Sequence, residues 1–254
     1  LLAKLHEMDV LVVAAAGNMT WDMDTRFDER AYFPAAFSAD NVLSVTALDA
    51  QGNLWSNSSY GRYSVDVGAP GHQILSSLPP NASNTAEANY GITSGTSPAT
   101  ALVSGLAALL RASPETANLS APQLRRLIMA SGRPLASLAD KTVSGRSIRV
   151  YDSNGSGAFS CNNQWIQRRV TPRTNQMTLL PGDTLHLEVE GFDCANISAL
   201  PIVLTSPQGV TLTLGDDGMN GDRVAGDGVF SADWIIPDAP AFRYQWTLNQ
   251  GTAM

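Results

Sequence analysis

The sequence predicts an α/β domain with a parallel sheet over residues 1–150, a linker over 151–160 and a small all-β sandwich over 161–254. Three observations carry that division. The run Val-Leu-Val-Val-Ala-Ala-Ala at 10–16 is apolar throughout, as a central parallel strand covered by helices on both faces must be. Residues 97–111 read as a helix rich in small residues, including Ala99, Ser104, Gly105 and Ala108, which let it approach its neighbours closely. Beyond Val150 the pattern changes to short alternating runs punctuated by Pro-Gly, Pro-Gln-Gly and Asp-Asp-Gly, the rhythm of a β-sandwich.

In order, residues 1–8 read as a helix end, with Asp9 before the first strand and Gly17-Asn18 after it. Residues 18–30 are polar and acidic, hence a loop. Strands are expected at 42–48, at 63–67 before the turn Gly68-Ala69-Pro70-Gly71, and at 73–78. After the helix at 97–111, a second begins at Ser120, a good N-cap, with Pro122 tolerated in the first turn. Its apolar stripe is Leu124, Leu127 and Ile128, and Gly132 ends it. Residues 152–160 are rich in Gly and Ser, and strands follow at 177–180, 184–189, 202–205, 210–214, 229–235 and 243–248.

The chain has 254 residues, with 16 Lys+Arg against 23 Asp+Glu for a formal charge of −7. That balance disfavours nucleic-acid or anionic-membrane partners, which need a basic surface. The excess is uneven: residues 1–150 carry 11 basic and 12 acidic side chains, residues 151–254 carry 5 and 11. No apolar run reaches the roughly 18 residues of a membrane span. Leu1 is neither an initiator Met nor part of a leader, so a removed N-terminus or a fragment is expected. Cys161 and Cys194 are read either as a disulfide, which implies an oxidising compartment, or as two buried thiols.

Gly95-Thr96-Ser97-Pro98-Ala99-Thr100 places a serine at the start of a buried helix, where unpaired N–H groups and the positive dipole end suit a developing oxyanion. Taken alone, this reads as a Ser N-cap on a core helix. Asn18 stands at the carboxyl end of the first strand, where α/β folds place ligands. Together, the segments Val12 to Asn18 (VVAAAGN), Ala69 to Ile74 (APG…I) and Ser94 to Ala99 (SGTSPA), in this order, resemble the subtilisin-like serine proteases over about residues 1–150.

The resemblance implies roles and an N-terminally truncated subtilisin-like domain. Ser97 matches the nucleophile that forms an acyl-enzyme, and Asn18 the oxyanion-hole amide. Ala15, Ala16 and Gly17 match the segment bordering the S1 pocket; Thr96 joins the substrate-binding set, and Tyr32 falls near the pocket floor, which it would shorten. Pro98 and Ala101 stand where the family usually has Met and Pro, and Leu102 where it often has His. The larger departure is the base. The family supplies Asp and His before the asparagine strand, whereas here no Asp precedes Asp9, and His6, His72 and His186 lack the catalytic surroundings. A protein or peptide substrate, a missing upstream part of the peptidase domain and a secreted, bacterial setting are implied. The competing expectation is a secreted binding or adhesion protein that keeps the scaffold without the chemistry.

Residues 216–231 form the densest carboxylate cluster. Against a calcium loop of about 12 residues, Asp216, Asn220, Gly221 and Asp227 fall on the first, fifth, sixth and twelfth positions, with Asp222 beside them. Gly218 at the third cannot ligate, and strands flank the loop, which excludes an EF-hand. The segment resembles a turn of Ig-like modules in secreted bacterial proteins; a calcium-clamped hairpin and a metal-free Gly/Asp turn compete. The proposed chemistry itself requires no cofactor. N-x-S/T sequons occur at Asn18, Asn57, Asn81, Asn118, Asn154 and Asn196, and a glycan on Asn18 would block the oxyanion hole.

Overall fold

The computed structural model describes residues 1–25, 32–37, 39–78, 89–150, 166–171, 177–192, 202–205, 210–222, 225, 228–238 and 247–249. The chain divides into two units, Leu1–Asn162 and Asn163–Met254. The linker at 151–160, both cysteines and Asp227 lie outside the described residues.

Unit 1 runs α1 (Leu2–Glu7), β1 (Val12–Ala15), β2 (Val42–Leu48), β3 (Val67–Pro70), β4 (Ile74–Ser77), β5 (Tyr90–Thr93), α2 (Thr96–Ala112), α3 (Ala121–Ser131), β6 (Arg133–Pro134) and β7 (Arg146–Ser147). Its main sheet has the order β1-β2-β3-β7-β6, parallel except for β6. All seven residues of β2 are buried, the polar Ser44 and Thr46 included, which fits its place between two strands. The expectation that β1 is central is corrected. Among the described residues it pairs only with β2, so Val12 and Val13 stay half-buried. An apolar run reports what a strand could bury, not whether a neighbour covers it.

The strand expected at 63–67 begins only at Val67 and takes in Gly68-Ala69-Pro70, which the sequence marked as a turn. Residues 63–65 spend their N–H groups otherwise: Tyr63 donates to Asp24 Oδ2 (2.9 Å) and Val65 to the Gly61 carbonyl (3.0 Å). The strand expected at 73–78 is β4, which with β5 forms a separate antiparallel ribbon leading into α2.

Helix α2 packs on β1, β2 and β3. It buries Thr96, Ala99, Val103, Leu106, Ala107 and Leu110, the 3–4 spacing of one helical face, while Leu102 and Leu109 stay exposed. Gly71, at the end of β3, is required by space. A Cβ there would fall 2.6 Å from both Ala47 Cβ and the Gly95 carbonyl. Helix α3 starts as expected: Ser120 Oγ accepts the Gln123 N–H, and Gln123 Oε1 accepts the Ser120 N–H (2.8 Å), a reciprocal cap. Leu124, Leu127 and Ile128 are buried. Gly132 ends α3 with φ −61, so its backbone does not need glycine; a Cβ would sit 2.6 Å from the Ser147 carbonyl.

Unit 2 contains β8 (Ile166–Thr171), β9 (Thr184–Phe192), β10 (Ile202–Thr205), β11 (Thr211–Leu214), β12 (Val229–Ile235) and β13 (Thr247–Asn249). They form two antiparallel three-stranded sheets, β12-β9-β8 and β11-β10-β13. Leu187, Val189, Phe230 and Ala232 of the first join Ile202, Leu204 and Leu214 of the second in one buried cluster. Residues 177–180 are not a strand, since the Leu180 N–H is taken by Asp183 Oδ2 (2.7 Å) and a turn follows. The sequence reading missed β8, where Gln167, Arg168 and Arg169 interrupt the alternation. Of the strand expected at 243–248, residues 243–246 lie outside the described set, and β13 begins at Thr247.

Candidate active site

The site grows from the end of β1. Ala16 extends the ladder one residue past the strand, its N–H donating to the Val45 carbonyl at 2.9 Å. The chain then turns at Gly17 with φ +100, a conformation that favours glycine. Gly17 is held on both sides: its carbonyl accepts the Ser59 N–H (2.9 Å), and its own N–H donates to Thr96 Oγ1 (3.1 Å).

Thr96 is the first residue of α2 and is buried. Its backbone N–H and its hydroxyl both donate to Asn18 Oδ1, at 2.8 and 3.0 Å. Only an acceptor can face two donors, so this pair fixes which way the Asn18 carboxamide lies. Asn18 Nδ2 is left as the free donor, with no partner among the described residues, on an exposed side chain. Gly95 passes close beside it: a Cβ there would lie 3.1 Å from Asn18 Nδ2.

Ser97 follows as the second residue of α2 and is exposed, its Oγ unbonded among the described residues. Its N–H is among the first four of a 17-residue helix, which have no intrahelical acceptor. Pro98 at the next position forfeits nothing for the same reason. An exposed hydroxyl, an unpaired backbone N–H and an amide of fixed orientation thus meet where the helix dipole favours negative charge.

The remaining candidates separate. Tyr32 lies against Gly17, its Cγ and Cδ2 3.2 and 3.3 Å from the point a Gly17 Cβ would occupy. Ala15 is half-buried, whereas Ala16 is fully buried in the core cluster and offers no side-chain surface. Thr96, grouped by sequence with the substrate-binding residues, is 1% exposed, and its hydroxyl bonds Gly17 and Asn18. Sequence reasoning also missed the job of Ser59, whose Oγ accepts the Met19 and Trp21 N–H groups (3.3 and 3.4 Å) and pins the loop after Asn18. No local pattern signals a contact about forty residues away.

None of the three histidines bonds Ser97. His6 is exposed on α1, His72 Nδ1 pairs with Ser94 Oγ (3.0 Å) while its ring stacks on Trp55, and His186 belongs to unit 2. In the acidic turn, carboxylates are engaged by backbone. Asp216 Oδ2 accepts the Gly228 N–H (2.9 Å), Asp217 Oδ1 that of Met219 (3.0 Å) and Asp222 Oδ2 that of Gly218 (2.6 Å), while the Asn220 carbonyl accepts the Asp233 N–H (3.1 Å). Among the described residues no group of three His, Cys, Asp or Glu is arranged to hold a metal ion. No helix among them is long and apolar enough to cross a membrane.

Comparison with known proteins bears on unit 1. Residues 2–155 match the Subtilase family, Peptidase S8. The chain is 33% identical over 164 residues to subtilisin-like protease 3 of Plasmodium falciparum (isolate 3D7), covering 59% of this chain and 20% of that protein. It is 38% identical over 136 residues to halolysin of Haloferax mediterranei, covering 54% and 22%. Against the solved structure of the prenylagaramide maturation protease PagA it aligns with a TM-score of 0.46 at 27% identity, over 58% of this chain and 50% of that one. The chain therefore spans less than half the length of both curated relatives. The family match takes in every element from α1 to β7, and Asn18, Thr96 and Ser97 all fall inside it. On the strength of that match across more than half its residues, the chain belongs to the subtilase family.

Proposed function

We propose that Ser97 is the nucleophile of a serine endopeptidase centre and that Asn18 supplies its oxyanion hole. The observation that carries this reading is the pair of hydrogen bonds that Thr96 donates to Asn18 Oδ1, which leaves Nδ2 without a partner among the described residues, beside a Ser97 hydroxyl that has none among them either. Ser97 Oγ attacks the scissile carbonyl, and the resulting oxyanion accepts from Asn18 Nδ2 and the Ser97 N–H. Collapse expels the amine and leaves an ester on Ser97, which water then hydrolyses. A scaffold kept only for binding gives no reason for an amide fixed in this way. In this reading the chain works outside the cell on proteins or peptides, and unit 2, with its core drawn from two sheets, is an appended Ig-like sandwich.

The imidazole that takes the Ser97 proton and the carboxylate that orients it come, in this reading, from a segment added along the free edge of β1. Leu11 and Val13 beside that edge line a groove of about 280 Å³ together with Asp9, Ser104, Ala107 and Arg111. A fluorophosphonate probe tests both parts. The isolated 254-residue chain is expected to remain unlabelled. A longer chain that carries the added segment is expected to label at Ser97, and Ser97→Ala to lose the label. Robust labelling of the isolated chain would overturn the outside base; no labelling of the longer one would overturn the peptidase.

Tyr32 sets the expected preference. Its ring against Gly17 takes up space beside the scissile carbonyl, so a small residue is favoured there. In the active enzyme, Tyr32→Gly is expected to raise kcat/KM for Phe relative to Ala at that position by about 10–200-fold. Steady-state kinetics on matched peptides measure it, and an unchanged ratio removes Tyr32 from the pocket.

A further inference from the structure

A second constellation of titratable groups lies in unit 2. On β9, His186, Glu188 and Glu190 alternate with Leu187 and Val189, so they share the face turned away from the apolar cluster. Across the ladder, Asp233 of β12 is the register partner of His186, and Ser231 that of Glu188. His186 Nδ1 lies 2.6 Å from Asp233 Oδ1, and Nε2 lies 3.0 Å from Glu188 Oε1. One ring stands between two carboxylates. A neutral imidazole has a single N–H and donates to one of them; the protonated ring donates to both. The hydrogen bond to Asp233 first, then that to Glu188, outweighs partial desolvation and raises the His186 pKa above 6.5.

The same residues form the floor of the acidic turn. A Cβ on Gly221 would fall 2.8 Å from Asp233 Oδ1 and 3.0 Å from His186 Cε1, and the Asp233 N–H donates to the Asn220 carbonyl at 3.1 Å. The turn brings more negative charge, from Asp216, Asp217 and Asp222, and β9 adds Glu190, which is buried. From β8, the residue opposite Glu188 is the uncharged Thr171. Among the described residues, His186 is the basic group that bonds both Glu188 and Asp233.

We propose that His186 is a pH-operated latch: protonated, it ties Asp233 to Glu188 and holds the 215–222 turn on the β9–β12 face, and neutral, it leaves a carboxylate unpaired beside an anionic turn and releases it. The direction follows from linkage. A histidine whose pKa is higher in the folded chain stabilises that state fully below the unfolded value of about 6.5 and loses the effect as pH rises through the folded value.

NMR on the full 254-residue chain tests the latch. The His186 ring is expected to titrate above pH 6.5, and Asp233→Asn and Glu188→Gln each to lower its midpoint. The Asp233 amide, corrected for intrinsic exchange, is expected to lose about tenfold in protection across the midpoint for each unit by which the folded pKa exceeds the unfolded one. In His186→Gln that loss disappears. A midpoint at or below 6.5, or the same loss of protection in His186→Gln, would overturn the latch. If His186→Gln fails to fold, Asp233→Asn carries the same comparison.

Discussion

If Asn18 serves the proposed peptidase centre, replacing it by Asp is expected to lower kcat by at least about 10²–10³ while leaving the fold intact. Asp keeps an oxygen where Oδ1 now accepts the Thr96 N–H and hydroxyl, so the two donors at the start of α2 stay satisfied. The other carboxylate oxygen takes the place of Nδ2, and a donor aimed at the oxyanion becomes an acceptor that repels it. Asn18→Leu removes the donor too, at a transition-state cost of about 2.7–4 kcal/mol. It also strips the buried Thr96 hydroxyl and N–H of their acceptor, which costs about 1–3 kcal/mol of stability for a group left unpaired. The two variants therefore share the loss of turnover and differ in stability. Steady-state kinetics with urea unfolding separate the effects. Comparable kcat for Asn18→Asp and the parent enzyme would remove Asn18 from the oxyanion hole.

What could be read from the sequence was what a few adjacent residues determine. An apolar run ending in Gly17-Asn18 marks a strand terminus, and Gly95-Thr96-Ser97-Pro98 marks a helix start, because caps, prolines and glycines act locally. Ser120 with Gln123 was legible for the same reason. The bond from Thr96 to Asn18 was not, since it joins residues 78 apart and exists only once β1 and α2 are packed. Nor does the apolar run by itself tell an edge strand from a central one, because the same seven residues serve a strand with one neighbour or two. The latch at His186 escaped for a third reason. His186 and Asp233 are 47 residues apart, and an alternating strand shows that they face outward without showing which residue stands opposite.

Asp66→Ala and Arg125→Ala are each expected to destabilise unit 1 by about 3–5 kcal/mol, because each removes one half of a buried ion pair. Both side chains are fully buried. Arg125 sits on α3 beside Leu124. Its Nη2 and Nε reach Asp66 Oδ1 and Oδ2 at 3.1 and 3.4 Å, a fork on a carboxylate. Asp66 also completes the sheet. Its N–H donates to the Ser44 carbonyl (3.0 Å) and its Oδ2 accepts the Ser44 N–H (2.8 Å), one residue before the β2–β3 register begins at Val45 and Val67. Losing the carboxylate thus frees a buried backbone donor as well as a charge, so Asp66→Ala should be the costlier single change. The double replacement Asp66→Val with Arg125→Met should cost less than Asp66→Ala, since both free the Ser44 N–H but the double variant also removes both charges together and fills the space with apolar atoms. Urea unfolding of the three variants, followed by tryptophan fluorescence, measures this non-additivity. Single losses under about 1 kcal/mol, or a double loss equal to their sum, would show that the pair is solvated in the folded chain. The consequence reaches the candidate site, because Val45 accepts the Ala16 N–H and so holds the end of β1 where Gly17 and Asn18 emerge.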